Sequence, residues 1–184
     1  MKKVKLRLKT LPDAEAVDLA DVKAQLRIDE DDTSYDAQLN ILLPAARQWC
    51  ENYQNRAYIT QTWELALDKW PCERYIRLPR PPLIEVVSVT VTDDEGSESP
   101  FLDYTLDTYS EPARIIGEWP KGRLADTNGI VIEYTAGYGS NASDVPENIR
   151  QAIILLTVHW FENGQCDPPP AVKWLLGQDR VVPV

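Results

Sequence analysis

The chain opens with an alternation. Val4, Leu6 and Leu8 interleave with Lys3, Lys5, Arg7 and Lys9, a period of two that predicts a strand with one apolar and one charged face. Such a segment serves either as an edge strand whose lysines discourage aggregation or as a basic arm that reaches an acidic partner. The period then changes. Asp18 precedes Leu19, Val22 and Leu26 at helical spacing, with Asp21 in the acidic first turn, which predicts a short helix ending near Arg27 or Ile28. Thr33 or Ser34 is placed to cap a second, longer helix. Its apolar stripe runs through Tyr35, Leu39, Leu42, Ala46, Trp49 and Tyr53, with Asn55 as its stop and a kink expected at Pro44.

From Thr60 to Tyr138 the texture becomes short runs rich in Val, Ile, Thr and Tyr, divided by Pro, Gly and Asp, which predicts strands. Trp63, Leu65 and Leu67 alternate with Thr62, Glu64 and Ala66. Val87, Val89 and Val91 alternate with Ser88, Thr90 and Thr92 before a turn over Asp93 to Gly96. Further strands are expected at 104–107, 113–116 and 130–135. Helix returns after Asp144 and Glu147, a capping-box-like pair around Pro146, and Gly164 is its expected C-cap. Ile149, Ile153, Leu156 and Trp160 form one face of this helix, and Ile154, Leu155, Val158 and Phe161 form a second, so burial on more than one side is expected. Pro168, Pro169 and Pro170 then read as a stiff spacer before Trp174, Leu175, Leu176, Val181, Val182 and Val184. A tail this apolar packs either on its own core or on a neighbouring subunit or partner. The whole reads as α+β: a helical core of a short helix, a long kinked helix and a long C-terminal helix, with a β-rich insertion at 60–138 and an arm at 165–184, in a single domain.

Composition narrows the class. Of 184 residues, 43% are hydrophobic and 26% charged, the profile of a folded globular chain and not of a disordered one. The 19 basic and 29 acidic side chains give a net charge of −10, which argues against a free-standing nucleic-acid binder, because that needs a basic field to displace counterions. It is compatible with lying near DNA through repulsion. The first ten residues hold five bases and no acids, so the remainder carries 14 − 29 = −15. The longest apolar run, Ala152 to Leu156, is far short of the roughly 20 residues that span a bilayer. The basic N-terminus is followed by no apolar stretch of the secretory kind, so the protein is expected in the cytoplasm where it is made.

Candidate chemistry is sparse. Cys50, Cys72 and Cys166 show no CxxC spacing and read as reduced thiols. His159, the one histidine, lies between Val158 and Trp160, where a packed, hydrogen-bonded core or interface histidine is expected in preference to a general base. Asp29, Glu30, Asp31 and Asp32 invite a divalent metal, but DEDDTSYDAQLN lacks the sixth-position glycine and twelfth-position glutamate of an EF-hand, and acids before a helix are favoured by its dipole. There is no phosphate-binding glycine motif, and Gly137 and Gly139 in TAGYGS read as a loop with unusual backbone angles. No catalytic, cofactor or metal residue is assigned.

Several segments carry a stronger signal together. The LRID-acidic junction at 26–32, RAYITQTWEL at 56–65, RLPRPPL at 77–83, and the passage from AGYG at 136–139 to HWFEN at 159–163 match in order and spacing. Over roughly residues 16 to 164 the chain resembles the head-tail connector, or adaptor, proteins of long-tailed bacteriophages and prophages. That resemblance implies a non-enzymatic protein that needs no cofactor and assembles as a cyclic homo-oligomer, about a dozen copies, beneath the portal. A helical core carries the ring, the strand-rich part is an elaboration between the second and third long helices, and the ring presents a platform to the next head-completion or tail protein. DNA passes through the channel without specific binding, and the expected locations are the host cytoplasm during assembly and the virion head-tail junction.

Within that implied ring, Trp174, Leu175, Leu176, Val181 and Val182 are the candidate oligomer or partner contacts. Asp29, Glu30, Asp31, Asp32, Asp93, Asp94 and Glu95 are candidates for an acidic channel wall that repels phosphates, or else for ordinary solvated loops. Two other classes stay open at this stage: a small cytoplasmic enzyme using the acidic loop with a divalent metal, and another phage tail-completion interaction module.

Overall fold

The computed structural model describes residues 5–182. Lys3, Val4 and Val184 lie outside the described residues. The chain is mixed α+β, with most of its strands between the second and third helices. It forms two compact units, one strand-rich, made of the segment up to Leu11 with Thr60–Gly137, and one helical, made of Pro12–Ile59 with the segment from Tyr138 onward.

The helical unit contains α1 (Leu19–Leu26), α2 (Asp36–Gln54), a 3₁₀ turn (Ala142–Asp144), α3 (Glu147–Asn163) and α4 (Pro170–Gly177). Helix α1 starts at Asp18 as expected and stops because Arg27 turns left-handed, φ 60°, letting the N–H of Ile28 reach the Lys23 carbonyl at 2.9 Å. Helix α2 begins later than expected. The N–H of Ser34 is taken by the Asp32 carboxylate at 2.9 Å and the N–H of Asp36 by the Thr33 carbonyl at 3.2 Å, so Thr33 and Ser34 form a turn and Tyr35 becomes the N-cap. The helix runs unbroken through Pro44 and ends at Asn55, φ 56°.

Helix α3 also starts differently. Asp144 does not cap it; the Asp144 carboxylate accepts the N–H of Asn141 at 2.9 Å and closes the 3₁₀ turn, which leaves Pro146 as the N-cap of α3. Gly164, φ 76°, ends the helix. Leu39, Ala46 and Cys50 of α2, Ile149, Ile153 and Leu156 of α3, and Val172 and Leu176 of α4 are all fully buried. Burying each such aliphatic side chain contributes about 1.5–3 kcal/mol, and this shared core fixes the helices on one another.

In the strand-rich unit, β1 (Lys5–Thr10), β2 (Gln61–Leu67), β4 (Leu83–Thr92), β5 (Glu98–Pro100) and β8 (Ile130–Ala136) make an antiparallel sheet in the order β1-β2-β8-β4-β5. A second sheet holds β3 (Tyr75–Arg77), β7 (Arg114–Gly117) and β6 (Tyr104–Asp107), in the order β3-β7-β6. Central β8 alternates cleanly: Ile130, Ile132, Tyr134 and Ala136 are buried and the residues between them half-buried. Its Tyr134 hydroxyl donates to the Pro79 carbonyl at 2.7 Å. Strand β1 is an edge strand, paired only with β2. Its bases meet acids of their own sheet: Lys5 pairs with Asp68 at 2.5 Å, Arg7 with Glu64, and Lys9 with Glu133 at 2.7 Å. The Arg7 contact, reinforced by Lys9, holds the Glu64 carboxyl below the usual carboxylate range.

Strand β4 departs from its simple alternation. Val86 pairs with Tyr134 and Ser88 with Glu133, successive residues of β8, so Val87 is the extra residue of a bulge. It is 52% exposed while Val89 is 4% exposed. Strands β3 and β5 were not anticipated, since three residues carry too little periodicity. The Asp93 turn forms as expected: its carboxylate accepts the N–H groups of Glu95 and Ser97 at 3.0 and 2.8 Å, and Gly96 sits at φ 84°.

A methyl group at Gly139 would stand 2.2 Å from the Asp144 carboxylate and dislodge it from Asn141. Gly139→Ala is expected to lower the unfolding free energy by about 1–3 kcal/mol in urea melts. Gly122→Ala, whose methyl group meets no atom within 4 Å, is the control, expected within about 0.5 kcal/mol of the parent.

Asp107 accepts from Arg114 at 2.6 Å and from the Ser110 hydroxyl at 2.7 Å, and these bonds hold its carboxyl down to about 2. A depressed folded-state value stabilises above the unfolded value near 3.8, and that stabilisation is lost as pH falls toward about 2. Asp107→Asn should therefore flatten the fall of the urea midpoint over this acid range.

Candidate assembly surfaces

The C-terminal end of α2 organises the arm. Its last turn leaves carbonyls without helical donors, and side chains from this turn face the returning chain. The Gln54 amide donates to the Leu176 carbonyl at 2.8 Å while its oxygen accepts the Tyr58 hydroxyl at 2.7 Å. The N–H of Val181 reaches the Gln54 carbonyl at 2.9 Å, and the Val181 carbonyl accepts the Asn55 amide at 2.8 Å. Arg56 donates to the Asp179 carbonyl at 2.7 Å, and Arg180 to the Tyr53 carbonyl at 2.9 Å with its guanidinium over the Tyr53 ring. Beneath these, Arg47 pairs with Glu51 at 2.8 Å and Glu15 at 2.7 Å, and Glu51 accepts the N–H of Tyr58 at 2.9 Å.

The arm is thus a folded part of its unit. Pro168 and Pro169 lead into α4, with Pro170 at its first position, where the missing N–H costs nothing. Leu176 was expected on the contact surface; its side chain is fully buried beside Val172 in the core, because α4 turns that face inward. Val181 is half-buried and tied through its backbone. Trp174 and Val182 remain outward, each 68% exposed, and Leu175 is half-buried. The second face of α3, Ile154, Leu155, Val158 and Phe161, is half-buried along its length, with Phe161 meeting the Tyr35 ring edge-on at 5.4 Å. Sequence reasoning missed Ile41, 71% exposed on α2. An isoleucine off the apolar stripe of an amphipathic helix was the signal available.

The acidic segments sit one in each unit. Asp29, Glu30 and Asp31 point to solvent, whereas Asp32 turns back to Ser34, whose hydrogen bonds hold its carboxyl below the ordinary value. Lys23, 4% exposed, anchors this loop from behind through the Glu30 carbonyl at 2.9 Å and the Asp36 carboxylate at 2.7 Å. Asp93 is spent on its turn, and Asp94 and Glu95 are exposed. Among the described residues no group of three or more His, Cys, Asp or Glu side chains is placed to hold a metal ion. Burial pushes the Cys50 thiol and the Tyr58 phenol above their ordinary values, so both stay neutral. His159 is half-buried and hydrogen-bonded at the helix end to Asn163 and Cys166. No helix among the described residues is long and apolar enough to cross a membrane.

Residues 15–166 match the head completion protein family. The chain belongs to that family. The fold agrees over nearly its whole length with solved neck structures. The neck of an empty gene transfer agent particle, computed with C6 symmetry, matches with a TM-score of 0.81 and 27% identity, covering 97% of this chain and 96% of the other. A chain from the virion of the native gene transfer agent matches at 0.79 and 26% identity, with 98% and 97% covered. The neck of the native particle, computed with C12 symmetry, matches at 0.77 and 27% identity, with 97% and 96% covered. No curated protein matches. Family and fold together bear out the connector resemblance: this head completion protein is a structural component of the phage head-tail connector type. The structural matches extend over the arm, which the family match leaves out.

Gln54→Ala removes the partner of both the Leu176 carbonyl and the Tyr58 hydroxyl. It should destabilise the fold by about 1–3 kcal/mol and make the segment after Leu176 an early site of proteolysis. Limited digestion followed by mass spectrometry reads the second effect.

Proposed function

We propose that this head completion protein closes the filled head by forming a cyclic ring of about a dozen copies, seated on the portal and presenting its other face to the next connector or tail protein. The observation that carries this reading is the fold match, over 97% of the chain, to a neck solved with C12 symmetry. A ring built from one chain needs a heterologous interface, one patch meeting a different patch on the next copy. Trp174, Leu175 and Val182 on the arm, with Ile41 and the half-buried face of α3, supply apolar surface beyond the needs of one core. Leu176 and Val181 act from beneath, holding that surface in place. The outward carboxylates Asp29, Glu30, Asp31, Asp94 and Glu95 suit a channel wall, because a wall that repels phosphates lets DNA slide. Asp32 and Asp93 position those loops. The function so described is structural, with assembly in the host cytoplasm and a final place at the head-tail junction.

Electron microscopy of the protein mixed with the portal of its own phage should show one ring stacked on another. Trp174→Asp, at an exposed position, should leave the circular dichroism unchanged while weakening ring formation about 30-fold or more, as loss of an aromatic anchor does. Failure of the parent protein to bind portal, at any ratio, would overturn the assignment. Reversing Asp29, Glu30 and Asp31 to lysine should slow genome ejection in a fluorescence release assay. Unchanged ejection kinetics would remove these residues from the channel wall.

A further inference from the structure

The last turn of α3 holds a pairing that the neck function does not use. His159 Nε2 lies 3.0 Å from Cys166 Sγ. On the other side of the ring, the Asn163 amide nitrogen lies 3.3 Å from Nδ1 and also donates to the His159 carbonyl at 3.1 Å. That carbonyl fixes which end of the amide faces the ring, so Asn163 donates to Nδ1 and the imidazole proton resides on Nε2, aimed at sulfur. The cysteine is held as firmly as the histidine. Its N–H reaches the Gly164 carbonyl at 2.8 Å and its carbonyl accepts the Trp160 indole at 2.9 Å, while Gly164 at φ 76° turns the chain back over the helix end. An N–H aimed at sulfur favours thiolate over thiol, and the thiolate is the nucleophile.

The remaining cysteines lack this arrangement. Cys50 is fully buried in the helical core. Cys72 is exposed like Cys166, but the chain's single histidine is engaged with Cys166.

We propose that Cys166 is an activated thiol, the preferred site on this chain for covalent modification by low-molecular-weight disulfides and soft electrophiles, with His159 as its positioning residue. In the disulfide reaction the thiol proton passes to solvent and the Cys166 thiolate attacks one sulfur of the reagent. A new S–S bond forms, the reagent's S–S bond breaks, and the departing thiolate takes a proton from solvent. Cys166 is oxidised and the released half of the reagent is reduced. The substituent then sits on the link between α3 and α4.

The test uses the full chain with two probes, iodoacetamide, which forms an S–C bond and releases iodide, and oxidised glutathione. Reaction is stopped by acid at intervals and each cysteine followed by peptide mass spectrometry. In the folded protein Cys166 should react about 10-fold or more faster than Cys72, and the ratio should fall to about one in guanidinium. In His159→Phe the ratio should collapse toward one with the Cys72 rate unchanged, and the pH profile of Cys166 should move onto that of Cys72. A native ratio near one overturns the proposal even if the variant fails to fold. So does a folded His159→Phe protein that keeps the parental ratio and pH profile.

Discussion

A helix that stops leaves its last carbonyls unpaired, and the way α2 meets that requirement governs the helical unit. Asn55 turns left-handed, the N–H of Arg56 returns to the Glu51 carbonyl, residues 54–56 pair with the backbone of the arm, and the Tyr53 carbonyl accepts from the Arg180 guanidinium. Each bond contributes only about 0.5–1.5 kcal/mol net, but a buried group left without a partner costs about 1–3 kcal/mol, so the set is maintained as a whole. Glu51 and Gln54 lie under it at 6% and 0% exposure. Arg47 compensates the buried carboxylate, an arrangement in which the loss of either partner is far more costly than the pair is stabilising.

The same network explains which apolar residues are left for assembly. By fastening the backbone of 176–181, it commits Val172 and Leu176 to the core and turns Trp174 outward from the opposite face of α4. A rigidly presented aromatic loses little conformational freedom on docking, which suits an interface repeated around a ring. The surface proposed for assembly thus rests on bonds made within the chain.

The strand-rich unit is governed by β8, bonded along its whole length to β2 on one side and β4 on the other, with its buried side chains in strict alternation. Against that template β4 accommodates extra residues at Ile84 and Val87, and the opposite edge is closed to further pairing by bases of β1 that meet the sheet's own acids. The bases Lys5, Arg7 and Lys9 are therefore paired with acids within one sheet, while Asp29–Asp31 and Asp94–Glu95 are among the carboxylates left facing outward.

The fold class, the helices α1 to α3 and the longer strands were legible in the amino-acid sequence, because Leu39, Leu42 and Ala46, or Ile130 and Ile132, repeat with the period of the element that buries them. The connector family was legible too, through LRID, RLPRPPL and the AGYG-to-HWFEN passage. Periodicity is a one-dimensional signal and is silent where a residue's partner is distant in the chain. The N-cap of α2 went to Tyr35 because Asp32 claimed Ser34, and Val87 left its face because β8 supplied one residue where β4 supplied two. Most of the candidate contact surface was decided in the same way. Leu176 and Trp174 look alike as apolar tail residues, and only their positions relative to Gln54, 122 residues away in the chain from the carbonyl it binds, make one core and the other surface.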